Sequence, residues 1–203
     1  MDAIDFEWED DMALKQPNVV LVFGDQWRAQ AFGYAGDPNV QTPHLDRLAG
    51  ESIHMTHAVS GCPVCTPARG SLLTGQFPLT HGLFVNDVTL GNDAVSIAQA
   101  FKGAGYDTAY IGKWHVDGQG RSSYIPPERR QGFEYWKVLE CTHNYNQSYY
   151  YEGDSEEKLR WEGYDAIAHP GGRLTLRMRP PRSVIGNCIG REICICARMF
   201  QSR

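Results

Sequence analysis

An unbroken apolar run near the start of the chain limits the choice of fold. Residues 19–23 are Val, Val, Leu, Val and Phe, and Gly24 followed by Asp25 ends the run. A run without polar alternation predicts a central strand that is covered on both faces, as in parallel sheets. Reactive groups gather at the carboxyl ends of such strands, which is where Asp25 falls. The chain is therefore expected to be α/β, with a mostly parallel central sheet flanked by helices.

Further strand and helix patterns follow along the chain. Residues 42–49 have a Thr at the N-cap, a Pro at the first helical position and one apolar face, which predicts a helix packed on the sheet. Residues 53–59 are predicted as a short strand, 78–82 as a loop, 93–102 as a helix and 106–111 as a strand. The histidines of the first two segments are expected to be structural or exposed; they are His44, His54 and His57.

The most reactive stretch is residues 62–75. Pro67 suits the first position of a helix that Gly75 ends, so Cys65 is expected just upstream of the helix N-terminus. Backbone donors and the helix dipole favour an anion at that point. Arg69 lies one turn beyond Cys65, where its guanidinium can fork around a tetrahedral oxyanion. The pattern predicts a nucleophile together with an anionic substrate.

The same cysteines permit other interpretations. Cys62 and Cys65 form a C-x-x-C pair ahead of a helix, which is typical of a redox pair or of half a zinc site. No second ligand pair with zinc spacing follows in the sequence. A buried, purely structural Cys65 is the remaining alternative.

A second reactive motif, Gly-Lys-Trp-His at residues 112–115, follows the strand predicted at 106–111. Lys113 and His115 are two residues apart, so on an extended segment both side chains would project to the same side. A cation and an imidazole that face one pocket can bind an oxyanion and position a nucleophile. Taken alone, a surface lysine and a packed histidine would be the simpler interpretation.

These motifs resemble those of the sulfatase family. Residues 65–69 match its Cys-x-Pro-x-Arg signature, residues 71–75 continue it, and residues 112–115 and 131–136 are similar to later family segments. The resemblance implies an incomplete alkaline phosphatase-like sandwich and a sulfuric ester hydrolase. It further implies that Cys65 is converted to formylglycine, whose hydrated aldehyde attacks sulfur through one oxygen and later expels sulfate through the other. Arg69 would then orient the nucleophile, and Lys113 and His115 would contact sulfate and nucleophile.

The resemblance also implies a metal site and two partners. Asp25, Gln26 and an oxygen derived from Cys65 are the implied ligands, with Gln26 where the family usually has a second Asp. Ca²⁺ is the expected ion, with Mg²⁺ and Mn²⁺ as alternatives. The implied partners are a sulfated small molecule or carbohydrate as substrate, and a formylglycine-generating or sulfatase-maturating enzyme.

Two other functions remain open at this point. The Asp-Gln-Trp-Arg form of residues 25–28 also resembles the phosphonate monoester hydrolases of the same superfamily, so a phosphonate or phosphodiester hydrolase is the second hypothesis. A non-catalytic fragment is the third. The aromatic residues from Gln131 onward are expected mainly in packing, with a sugar-binding cleft as the alternative.

The resemblance to the sulfatases covers residues 17–165 and charge separates the tail, so the 203-residue chain is expected to have three parts. Residues 1–16 are an acidic N-terminal extension, residues 17–165 a partial sulfatase N-terminal catalytic domain, and residues 166–203 a basic tail with cysteines. Up to residue 165 the chain carries 12 Lys and Arg against 23 Asp and Glu, whereas the tail carries seven Arg against one Glu. This reversal predicts a frame-shifted or disordered tail and a truncated domain. We therefore expect weak metal binding and little turnover from this chain alone.

Charge and hydropathy also bear on partners and location. The strongly acidic body argues against nucleic acid as a partner. The sequence has no apolar run long enough for a membrane span, and its start lacks the basic and apolar regions of a signal peptide. As written, the chain is expected to be cytoplasmic, with a lost export signal as the alternative.

Overall fold

The computed structural model describes residues 19–165 and 184–188. Within these ranges the chain forms one six-stranded sheet, four α-helices and a 3₁₀ helix. In chain order they are β1 (Val20–Gly24), α1 (Pro43–Glu51), α2 (Cys65–Thr74), α3 (Pro78–His81), α4 (Ile97–Gly103), β2 (Ala109–Lys113), the 3₁₀ helix (Pro127–Arg129), β3 (Tyr135–Leu139), β4 (Tyr149–Glu152), β5 (Leu159–Arg160) and β6 (Val184–Cys188).

The sheet is parallel at its centre. Its strand order is β1-β6-β2-β3-β4-β5; the first three pairings are parallel, and β4 and β5 continue it in antiparallel pairing. Parallel strands end at a common edge, so the segments that follow β1, β2 and β3 lie beside one another. The predicted α/β fold with a mostly parallel central sheet is confirmed.

The hydrophobic core joins α2 and α4 to strands β2 and β3. At its centre, Trp114 makes edge-to-face contacts with Tyr110 and Trp136, with ring centroids 4.9 and 5.0 Å apart. Such geometry places the positive edge of one ring on the negative face of another. The buried residues of this core are Leu73, Leu83, Leu90, Ala98, Tyr110, Trp114, Val116, Ile125, Phe133, Trp136 and Val138.

Two predicted elements are wrong in type. Residues 53–59 form no strand, and Ile53 and Val59 are 86% and 91% exposed. Apolar side chains alone do not make a strand, because a strand needs a neighbouring strand for its backbone hydrogen bonds. Residues 78–82 contain the short helix α3 rather than only loop; Gly82 ends it with φ 78°, and its N–H donates to the carbonyl of Pro78.

Two further elements are displaced along the chain. Helix α4 begins at Ile97 rather than at residue 93, because Ser96 caps Gln99 N–H while the Gln99 side chain caps Ser96 N–H. This reciprocal pair satisfies backbone donors that a helix end otherwise leaves free. Strand β2 runs to Lys113, two residues past the predicted end, so the lysine belongs to the sheet itself.

The ends of the chain lie mostly outside the described residues, and so does the predicted N-terminal extension at 1–16. Within the tail, Val184–Cys188 forms strand β6 between β1 and β2. That the tail is frame-shifted or disordered stays a prediction. Across residues 19–165 and 184–188, no helix is long and apolar enough to cross a membrane.

Candidate active site

Four of the predicted site residues meet at the carboxyl edge of the sheet. Asp25 follows β1, Lys113 ends β2, and Cys65 and Arg69 belong to α2. Lys113 Nζ lies 2.8 Å from Asp25 Oδ2 and 3.5 Å from Cys65 Sγ. The Cys65 thiol lies 3.7 Å from Asp25 Oδ1, and Arg69 Nη2 lies 3.4 Å from the same oxygen. One thiol and two cations therefore surround one carboxylate.

Helix α2 presents Cys65 as its first residue. The predicted start at Pro67 is two residues late, because the extended Val64 is the N-cap and its carbonyl accepts the N–H of Ala68 at 2.9 Å. Pro67 is thus the third helical residue, where its missing N–H costs no hydrogen bond. Gly75 ends the helix as predicted, with φ 68°. The thiol lies at the positive end of the helix dipole.

Arg69 is held in place by other groups besides Asp25. It is 3% exposed, and its Nη1 donates to the backbone carbonyl of Lys113 at 2.6 Å. Its guanidinium carbon lies 5.4 Å from the centroid of the Phe23 ring. Within the described residues its Nε is buried and has no hydrogen-bond partner. A fixed guanidinium with a spare donor suits the binding of an anion.

The electrostatics of the cluster leave it cationic. Burial alone would raise the pKa of the Asp25 carboxyl, but Arg69 and Lys113 hold it below its ordinary value. Burial and Arg69 oppose the charge on Lys113, yet its contact with Asp25 leaves the lysine pKa raised. At neutral pH, two cations therefore face one carboxylate, and the surplus positive charge favours an anionic ligand.

His115 contacts Asp87, which is not one of the four residues that meet at Asp25. Its Nε2 lies 3.1 Å from Asp87 Oδ1. Arg121 donates two hydrogen bonds to the same carboxylate, from Nε at 2.9 Å and from Nη2 at 2.7 Å. The φ angle of His115 is 60°, so the backbone leaves the extended conformation here. The extended geometry predicted for Lys113 and His115 is therefore wrong at the histidine, because the strand has already ended at Lys113.

His115 is neutral at ordinary pH. Burial, reinforced by the nearby charge of Lys113, lowers the pKa of His115 to about 4 even though Asp87 opposes the shift. The ring is 1% exposed, and its Nδ1 has no hydrogen-bond partner in the part of the chain that the structure describes. When Nε2–H donates to Asp87, Nδ1 carries a free lone pair and can accept a proton.

Sequence reasoning missed the residues that support this cluster. Asn86 Oδ1 accepts the N–H of Thr66 at the start of α2, at 3.0 Å. Asp87 orients the His115 ring, and Glu140 binds the backbone of the His115 loop. The available signal for Glu140 is its position, since this acid directly follows the apolar pair Val138 and Leu139. No local pattern distinguishes Asn86 or Asp87 from ordinary loop residues.

The implied metal site is only partly present. Asp25 and Cys65 lie together, while Gln26 is exposed beside them with φ 50°. In residues 19–165 and 184–188 there is no group of three or more His, Cys, Asp and Glu side chains that could hold a metal ion. Ca²⁺ takes roughly six to eight oxygen ligands, so these donors fit one side of such a site.

The alternative interpretations of the cysteines receive no support from the geometry. Cys62 and Cys65 are both free thiols. Among the described side chains, no group of three or more His, Cys, Asp and Glu that could hold a zinc ion includes this pair. The histidines at 44, 54 and 57 are exposed and lie outside the cluster.

A comparison with protein families decides the classification of this chain. The family model described as Sulfatase matches residues 17–174 of the chain. The chain belongs to the sulfatase family. The match extends past the domain boundary predicted at residue 165. The α/β architecture of this chain is accordingly that of the alkaline phosphatase-like sulfatases.

Individual relatives support the same family. The Ulvan-active sulfatase of Formosa agariphila is 56% identical over 153 residues, which are 75% of this chain and 30% of that protein. A solved structure from a Bacteroides thetaiotaomicron locus for the metabolism of multiple glycosaminoglycans has a TM-score of 0.75 at 30% identity. The matched region makes up 86% of this sulfatase chain and 44% of the chain in that solved structure.

A third comparison involves a bound substrate. A protein solved in complex with its substrate D-glucosamine-2-N,6-O-disulfate has a TM-score of 0.70 at 26% identity, with 86% of this chain covering 34% of that one. This sulfatase chain thus spans about a third of the curated relative and under half of the solved structures it matches.

Proposed function

We propose that the chain forms the nucleophile side of an active site that hydrolyses sulfate esters of carbohydrates. The observation that carries this proposal is the contact of Cys65, Arg69, Lys113 and Asp25 at one edge of the sheet. The family membership, the helix N-terminus at Cys65 and the surplus positive charge all support it. The phosphonate hydrolase alternative gains no separate support from the geometry.

Each residue of the cluster has a role in this proposal. Formylglycine formed from Cys65 supplies an oxygen nucleophile that a thiol cannot replace, because the second oxygen is needed to release the sulfate. Arg69 and Lys113 place two fixed positive charges beside residue 65, where they stabilise negative charge on a sulfate group. Neutral His115 has a free lone pair at Nδ1, which can accept a hydrogen bond or a proton during the reaction.

A divalent cation, with Ca²⁺ expected, belongs to the same proposal. Asp25, Gln26 and the oxygen at residue 65 would hold it from one side, together with ligands beyond the described residues. When bound, such an ion supplies positive charge to the sulfate oxygens. The position of Asp25 at the end of β1, next to Cys65, supports this assignment.

The substrate is proposed to be a sulfated carbohydrate. A relative named for activity on ulvan and a structural neighbour solved with a disulfated glucosamine support this class. The proposed partner in maturation is an enzyme that converts Cys65 to formylglycine. The segment that this enzyme would recognise is residues 65–69, which begin α2 and contain the family signature.

Mass spectrometry and turnover test the proposal together. The chain is produced together with a sulfatase-maturating enzyme, and the peptide that contains Cys65 is weighed. Conversion of the thiol to the aldehyde lowers its mass by about 18 Da. Hydrolysis of an aryl sulfate should appear only in converted protein, and should exceed hydrolysis of the matched aryl phosphonate. An unconverted Cys65, or equal turnover by a Cys65→Ala variant, would contradict the proposal.

A further inference from the structure

A buried carboxylate outside the catalytic cluster binds the backbone that carries His115. Glu140 is the first residue after β3 and is 2% exposed. Its Oε2 accepts the N–H of His115 at 3.1 Å. Its Oε1 accepts the N–H groups of Asp117 and Gly118 at 3.0 and 3.1 Å. One side chain therefore satisfies three backbone donors of the loop that follows β2.

This loop needs an external acceptor. Strand β2 ends at Lys113, so the next N–H groups have few ladder partners, although Trp114 N–H still donates to the carbonyl of Leu139 at 2.8 Å. His115 has φ 60°, a left-handed conformation that is unfavourable for a residue other than glycine and persists only where the surrounding structure imposes it. The contacts to Glu140 supply that constraint, because loss of any one leaves a buried donor without an acceptor.

We propose that Glu140 is a positioning residue of the active site, which holds His115 beside the cationic cluster through the loop backbone. The inference rests on the proposed function, since it assigns His115 a part in sulfate ester hydrolysis. Glu140 itself contacts neither Cys65 nor Arg69 in the described structure. Asp87 positions the His115 ring from its other end, so the histidine is fixed at both backbone and side chain.

A carboxylate suits this role better than an amide of the same shape. Both oxygens of Glu140 accept hydrogen bonds, whereas glutamine has one accepting oxygen and one donating nitrogen. Replacement by glutamine would therefore set an NH₂ group against at least one backbone N–H. Among the described residues, the charged neighbours of Glu140 include Asp117 and Arg129, which pair with each other at 2.6 Å. Burial raises the pKa of Glu140 to about 7 despite its hydrogen bonds to the loop N–H groups.

The test compares Glu140→Gln with Glu134→Gln in the full chain. Glu134 is a surface residue that pairs with Lys102, so the second variant makes the same chemical change away from the loop. We expect Glu140→Gln to speed hydrogen exchange at the amides of His115, Asp117 and Gly118 by about tenfold or more. Aryl sulfate turnover should lose at least tenfold in kcat with little change in KM. Glu134→Gln should leave both measurements unchanged.

The outcomes separate this inference from the proposed function. Unchanged exchange at the three amides would overturn the role of Glu140, and so would faster exchange with unchanged kcat. If Glu140→Gln does not fold, Glu140→Asp replaces it; it keeps the charge but is too short to reach all three donors, and the same two readouts apply. A Cys65 that stays unconverted would instead contradict the proposed function, while the exchange data would still decide whether Glu140 holds the loop.

Discussion

At the scale of single residues, Asp25 forms ion pairs with two cations at once. Lys113 is fully buried and lies 2.8 Å from the carboxylate, whereas Arg69 lies 3.4 Å away. Replacing Lys113 removes the closer of these two partners together with a charge-assisted hydrogen bond, and leaves Asp25 paired with Arg69 at 3.4 Å. We expect Lys113→Met to lower the free energy of unfolding by about 1.5–3 kcal/mol. The Asp25→Asn, Lys113→Met double variant should lose less than the sum of the single variants, with a coupling of about 1–3 kcal/mol. Urea denaturation of all four proteins measures this cycle, and additive losses would show that the two residues do not interact.

His115 provides a second prediction at this scale. Its pKa is lowered from 6.5 to about 4, mainly by burial and then by Lys113, whereas Asp87 raises it. Lys113→Met should therefore raise the midpoint of the histidine titration, and Asp87→Asn should lower it further. The depressed pKa gives a stability contribution that is present above pH 6.5 and is lost as the pH falls through about 4. An NMR titration of the His115 ring measures both shifts, and shifts of the same sign in the two variants would contradict the assignment.

At the scale of secondary-structure elements, the start of α4 distinguishes two interpretations of the sequence. A helix that began at residue 93 would use Asp93, whereas the structure caps the helix with Ser96, which is buried and also donates to the carbonyl of Gln131. We expect Ser96→Ala to cost about 1–2 kcal/mol of unfolding free energy, because a cap and a buried hydrogen bond are lost. Asp93→Ala should change stability by less than about 0.5 kcal/mol. Chemical denaturation decides between them, and a larger loss at Asp93 would favour the earlier helix start.

Local sequence rules account for much of this site. Asp25, Cys65, Arg69 and Lys113 each lie at a strand end or in the first turns of a helix, where short patterns place residues well. The parallel order of the strands then brings the segments together without further information. The capping box of α4 was also visible, since Ser96 and Gln99 have its spacing. The predicted start of α4 is too early because it follows the longer apolar pattern rather than this capping box.

The rest of the site depends on contacts between distant segments. Asp87 and His115 are 28 positions apart, and Glu140 is 25 positions from His115. No periodicity or motif encodes such pairs, and the local sequence does not predict the φ of 60° at His115. The segment at 53–59 shows the opposite case, a strand that local sequence predicts and the fold does not form. Its side chains have strand character, but no neighbouring strand lies within reach among the described residues.

At the scale of the whole molecule, the sheet depends on a strand from the basic tail. Within the described residues, β1 joins the sheet through β6, which pairs with Val20–Gly24 along its full length and with β2 on its other side. A chain that ends at residue 165 would leave β1 without this partner, and Asp25 directly follows β1. Strand β1 would then be held mainly by its packing and by the ion pairs of Asp25, which cannot replace a ladder of backbone hydrogen bonds.

We therefore predict that a chain ending at residue 165 exchanges the amide hydrogens of residues 20–24 about tenfold faster than a chain ending at residue 190, which retains β6. Hydrogen exchange with mass spectrometry measures this difference. The amides of β3, which pairs with β2 and β4, should exchange at similar rates in both chains and serve as the internal control. Equal protection of β1 in the two chains would show that β6 does not hold it, and the carboxylate beside Cys65 would then owe its position to Lys113 and Arg69 alone.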